Sequence, residues 1–170
     1  QCRNALRSLR AYEDIFDIYL VPVNWGNTSW HYEDTEEREW IDQTILKTIN
    51  VLQNPEGVFD ISLQVALPNE WQLLARTNVG YTAGVETDTV PSRWVQAAEM
   101  MSKVIVPSNH TMSGFVSAGA DKSGFEVVGY PVRTTEGSLE LQLECDFNFL
   151  TVAQWGPRKN LEATITSFLE

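Results

Sequence analysis

Two stretches of the chain carry residue types whose spacing could do chemistry. In "GVETDTVPSRWVQ" (84–96), the carboxylates Glu86 and Asp88 follow an apolar run and precede a helix opened by Pro91. Carboxylates in such a loop can act as general base, electrostatic stabiliser or hydroxyl anchor. The plainer reading is an acidic helix start, which the helix dipole favours by itself, and local chemistry leans that way. The second stretch is "FLTVAQWGPRKN" (149–160), an apolar strand running into a glycine, a proline and two cations. Gly156 would let the backbone approach a ligand, and Pro157 suits a first helical position. Arg158 and Lys159 oppose the dipole of a helix beginning there, unless a bound anion such as a diphosphate reverses the penalty. An ordinary turn with two solvated cations competes with this reading and is favoured on local chemistry alone.

Other chemistries find little support in the residue inventory. His31 and His110 are the only histidines, with no H-x-x-x-H, C-x-x-C or Ser-His-Asp spacing for a zinc site or a nucleophilic triad. There is no D-x-D pair and no glycine-rich dinucleotide or P-loop fingerprint. No metal and no cofactor is therefore expected, and any phosphate site must rely on cations and backbone around 154–160. A net charge of −11 repels a nucleic-acid backbone, so nucleic acid is not an expected partner. No run approaches the about 18 apolar residues of a membrane span, and a cytoplasmic or membrane-peripheral protein is expected. Cys2 and Cys145 are too few for a disulfide scaffold and fall on apolar faces, which predicts buried reduced thiols.

Elements at regular intervals must position these residues. Cys2, Ala5, Leu6 and Leu9 have helical spacing, and "IFDIYLVPV" (15–23) reads as a strand ending near Asn24 and Trp25. Asp34 with Glu37 resembles a capping box ahead of a helix over 36–53, with Ile41, Ile45, Ile49 and Leu52 on one face. "VFDISLQVAL" (58–67) alternates as a strand and leads to Pro68, Asn69 and Glu70. Strands over 78–85, 103–108 and 125–132 follow, separated by helices from Pro91 and over 109–119. This alternation predicts an α/β protein with a Rossmann-like parallel sheet and flanking helices, whose ligands would bind at the carboxyl ends of strands. Asn24, Trp25, Glu70, Asp88 and Glu86 lie in those loops. After Val132 the pattern changes: strands over 139–145 and 147–153, then a helix from Pro157. A boundary falls near 133–138, giving a domain over 1–132 and a linker with a terminal βα unit over 133–170.

The segment order is familiar. "VGYTAGVETDTVPSRWVQAAEMMSKVIVPSNHTMSGF" (79–115) resembles the later half of the N-terminal domain of GT-B glycosyltransferases of the family 4 kind. "FNFLTVAQWGPRKNLEATITSFLE" (147–170) resembles the opening βα unit of their C-terminal, donor-binding domain, and "FDISLQVALPNEW" (59–71) also matches. The resemblance implies transfer of a sugar from a nucleotide-sugar to a carbohydrate or glycoconjugate acceptor without a metal. In the family, an Arg or similar residue after the strand and a Lys at the helix start hold the donor diphosphate. Gln154 and Lys159 stand at those places, with Arg158 beside them; Gln154 is a departure, able to donate a hydrogen bond but uncharged. Glu86 matches the position where the family often places a histidine or acid beside the reacting sugar. Asn24, Trp25, Glu70 and Asp88 would line the acceptor-side cleft. The family's first strand should precede Cys2 and most of its donor domain should follow Glu170, so the resemblance also implies a fragment, inactive or weakly active alone. The alternative is a non-catalytic binding or assembly module, whose terminal βα unit either packs on the same sheet or swaps into a neighbour to give a homodimer that self-associates through its C-terminal strands.

Overall fold

The structure is a computed structural model that describes residues 2–23, 34–53, 59–132, 134, 137 and 142–169. The chain divides into two units, Gln1–Arg133 and Thr134–Glu170. The first unit is α/β. Strands β1 (Phe59–Val65), β2 (Ala75–Tyr81), β3 (Lys103–Val106) and β4 (Phe125–Val127) form one sheet in the order β1-β2-β3-β4. Every pair is parallel, with Val65 opposite Tyr81, Tyr81 opposite Ile105 and Ile105 opposite Glu126. Flanking helices are α1 (Cys2–Arg10), α2 (Glu36–Leu52), α3 (Ser92–Glu99) and α4 (Asn109–Ser117). The expected Rossmann-like α/β architecture is present at this level.

One face of the sheet carries the core. Val104, Val106 and Phe125 pack against Trp94, Val95 and Ala98 of α3 and Phe115 of α4. Phe115 lies between Trp94 at 6.2 Å and Phe125 at 5.1 Å, centroid to centroid. The link from β1 to β2 holds no α-helix, only a 3-10 turn over Pro68–Glu70. Trp71 does the covering instead: a side chain at Gly80 would meet the Trp71 ring at 2.6 Å, so the glycine is what lets the indole lie flat on β2. The opposite face is more open, with Ile61 59% exposed and Leu63 also exposed, whereas Ser62 and Gln64 are half-buried. Ser62 donates to the buried Asn78, whose amide oxygen also takes the backbone N–H of Leu74 and Ala75. The polar side of the alternation in β1 thus serves an internal hydrogen-bond network rather than solvent.

Several local expectations are corrected. The strand expected over 15–23 is absent, and side chains of α2 bond to this segment instead: the Leu20 N–H donates to Thr48 Oγ1 at 2.7 Å and Lys47 donates to Asp17 and Ile18 O. The cap of α2 is Thr35, one residue after Asp34, accepting from the Arg38 N–H at 3.2 Å. The buried positions of α2 are Thr44 and Thr48, while Ile49 and Leu52 are exposed. β4 ends at Val127, well short of Val132. Both cysteines are free and exposed, Cys2 in the first turn of α1 and Cys145 in a bend.

Helix α1 is fastened to α2 by charge. The Arg7 guanidinium grips both oxygens of Glu37, at 2.6 and 2.7 Å, with Arg3 3.6 Å from the same carboxylate. The Arg7 hydrogen bond holds the Glu37 carboxyl below its ordinary value of 4.5, against the opposing pull of partial burial, and the charges of Arg7, Arg3 and Arg10 add to it. A carboxyl depressed in the folded state adds stability above its unfolded pKa and loses it as pH falls through the folded value. The α1–α2 contact is therefore expected to hold at neutral pH and loosen as pH drops below 4.5. Amide exchange over residues 2–10, corrected for intrinsic rate, should speed up on that descent.

The second unit contains helix α5 (Leu161–Leu169) and, among its described residues, no strand. The strand expected over 147–153 is absent, and of 139–145 the described part, 142–145, is not a strand either. Apolar sequence makes a strand only with a ladder partner, and none lies among these residues. Phe149 packs on Phe168 of α5 instead, ring centroids 4.2 Å apart. No helix among the described residues is long and apolar enough to cross a membrane.

Candidate functional site

The carboxyl edge of the parallel sheet gathers the loops that sequence reasoning singled out. Beyond β1 lies the turn Pro68–Glu70, beyond β2 the loop 82–91, and beyond β3 the start of α4. Glu70 spends one carboxylate oxygen on its own turn, accepting from the Leu67 N–H at 3.1 Å. Asn69 accepts from the Trp94 indole N–H at 2.9 Å, tying this turn to α3.

The loop after β2 has a defined shape. Gly84 adopts φ +76°, and a Cβ there would lie 2.3 Å from the Thr111 methyl. Thr111 reaches across from α4, its hydroxyl donating to Ala83 O at 3.3 Å, while Ser108 caps α4 by accepting from the Thr111 N–H. Further along, the Val90 N–H donates to Gly114 O. Between these two anchors Glu86 and Asp88 are exposed, on the approach to α3. The loop is thus pinned at both ends by α4, with both carboxylate residues in the stretch between. Asn24 and Trp25 lie outside the described residues.

Gln154, Arg158 and Lys159 belong to the second unit and are exposed. Their setting differs from the expected helix start. Gly156 has an extended backbone that any residue adopts, and a side chain there would meet nothing within 4 Å. Pro157–Lys159 form a 3-10 turn, and Asn160 follows in the left-handed conformation at φ 47°. That break resets the chain, so α5 starts at Leu161 and its free N–H groups lie past both cations. An open dimple is lined by Trp155, Gly156, Pro157, Asn160, Leu161 and Glu162. Glu162 already supplies an anion to the first turn of α5.

Sequence reasoning passed over Tyr81, the last residue of β2. It is 5% exposed, and its hydroxyl has no hydrogen-bond partner among the described residues. Burial pushes the phenol above its ordinary range, and Tyr130, 6.4 Å away ring to ring, adds to the shift. Its position at a strand end was the available signal. The strand order does not reverse among the described residues, so the crevice that such a reversal opens in doubly wound sheets is not formed by β1–β4. No family model, curated protein or solved structure matches the chain.

Proposed function

We propose that the chain is part of a GT-B type glycosyltransferase, moving a sugar from a nucleotide-sugar donor to a carbohydrate or glycoconjugate acceptor. One observation carries the reading. The stretch 79–115, which bears the resemblance, runs through the end of β2, α3, β3 and most of α4 in the family's order. Its acidic loop follows the carboxyl end of β2, the end at which parallel α/β sheets bind ligands. In this reading Glu86 stands beside the reacting sugar, and Glu70 and Asp88, with Asn24 and Trp25, line the acceptor side. Arg158, Lys159 and the amide of Gln154 stabilise the negative charge that grows on the leaving diphosphate.

The test uses a panel of uridine, guanosine and adenosine diphosphate sugars with ligand-observed NMR. At least one is expected to bind through its diphosphate, and Lys159→Ala should weaken it about tenfold, the worth of one charge-assisted hydrogen bond. A silent panel, or binding indifferent to Lys159 and Arg158, removes the reading.

A second reading is favoured by the apolar surface of the second unit. Phe147, Phe149, Leu150, Val152 and Trp155 are all exposed, Leu150 88% so. A non-catalytic assembly module that self-associates through this segment would cover them. Light scattering that finds a monomer at all concentrations excludes it.

A further inference from the structure

The placement of α1 is not explained by core packing. None of its residues is buried; Ala5, Leu6 and Leu9 are only half-buried. Its first turn is attached at two points on the sheet's carboxyl edge. The Cys2 thiol sits 3.8 Å from Val65 O, at the end of β1, and the Asn4 amide donates at 2.9 Å to Pro131 O, beyond β4. Tyr81 neighbours both points: it is the register partner of Val65, and its ring centroid is 6.4 Å from that of Tyr130, next to Pro131. Charged groups add further ties. Arg3 and Arg7 pair with Glu37, and Arg10 pairs with Glu36 at 3.3 Å while lying over the Trp40 ring at 5.0 Å.

We propose that α1 is a salt-sensitive lid across the carboxyl ends of β1 and β2, which swings away to present Tyr81 to a ligand carrying a hydrogen-bond acceptor. Two physical facts support it. A helix docked by partly exposed ion pairs, with no buried apolar anchor, is bound weakly and is screened by salt. A hydroxyl buried without a partner costs free energy in the closed state, and opening relieves that cost. The lid stands at the sheet edge where ligands of parallel α/β folds bind, so the open state is the receptive one. The inference rests on the sheet and on α1, and holds whichever ligand class the chain takes.

Tyrosine nitration with tetranitromethane, read by peptide mass spectrometry, tests it on the full chain. Tyr12, which is exposed, serves as internal reference. Arg7→Gln, or a rise in salt from about 0.02 to 0.5 M, is expected to raise Tyr81 nitration relative to Tyr12 on the order of fivefold. Amide exchange over residues 2–10 should rise with it, while exchange in β3 stays unchanged. Arg7→Lys, which keeps the charge, should show a smaller rise than Arg7→Gln. Tyr81 that stays unreactive while α1 exchanges freely overturns the proposal, as does an α1 that neither salt nor Arg7→Gln loosens. A parallel rise in β3 exchange also overturns it, because the opening would then be global.

Discussion

Phe115→Ala is expected to cost the first unit about 3–5 kcal/mol, the range for removing a fully buried phenylalanine. Phe115 is 0% exposed and fills the space between Trp94 of α3 and Phe125 of β4, so truncation empties the junction of two helices and the sheet. Little can collapse into the gap. Trp94 is fixed by its hydrogen bond to Asn69, and Phe125 by its pairing with Val104. A domain of this size has roughly 5–15 kcal/mol in total. Chemical denaturation followed by tryptophan fluorescence should therefore show a midpoint lowered by roughly a fifth or more, or a chain already partly unfolded in water. An unchanged midpoint would mean that α4 does not pack on the sheet as described.

Gly84→Ala is the second large effect, about 2–4 kcal/mol from two separable causes. The left-handed backbone at φ +76° disfavours any Cβ, and the new methyl would overlap the Thr111 Cγ2 at 2.3 Å. Thr111→Ser removes that methyl and keeps the hydroxyl that donates to Ala83 O. In a double-mutant cycle, Gly84→Ala on the Thr111→Ser background should recover the steric part and retain the backbone part. Additivity of the two substitutions would show that the loop does not lie against α4. Because the loop carries Glu86 and Asp88, the same substitution should also alter any ligand affinity that depends on them.

The elements between β1 and α4 were legible because each has its own local signal. Alternation marks β1, Pro91 sits immediately before α3, and Ser108 caps α4 where the sequence passes from strand to helix. Elements whose form depends on a partner were not legible. Residues 16–23 and 147–153 have strand composition, yet pairing is a property of the neighbour as much as of the segment. For 16–23 the decisive residues are Thr48 and Lys47, far along the chain on α2. The start of α5 was misplaced for a different reason: Asn160 adopts the left-handed conformation open to asparagine, and Pro157 opens a 3-10 turn rather than the helix. At the candidate site the acidic loop was readable from residue type. Tyr81 was not, because an unpartnered hydroxyl is visible only once its surroundings are known.

The strand order has a consequence for how the protein is made. Among the described residues each strand of the sheet pairs with the next one along the chain, with no gap between neighbours. During synthesis β1 and β2 can pair before β3 has been translated, and every further strand docks onto an edge already formed. Each closure spans a single crossover and no strand of the sheet waits for a partner beyond the next one, which keeps the loop-closure cost below that of an interleaved order. The sheet can grow outward by accretion from β1, its advancing edge passing to β2, β3 and β4 in turn while β1 keeps the other edge.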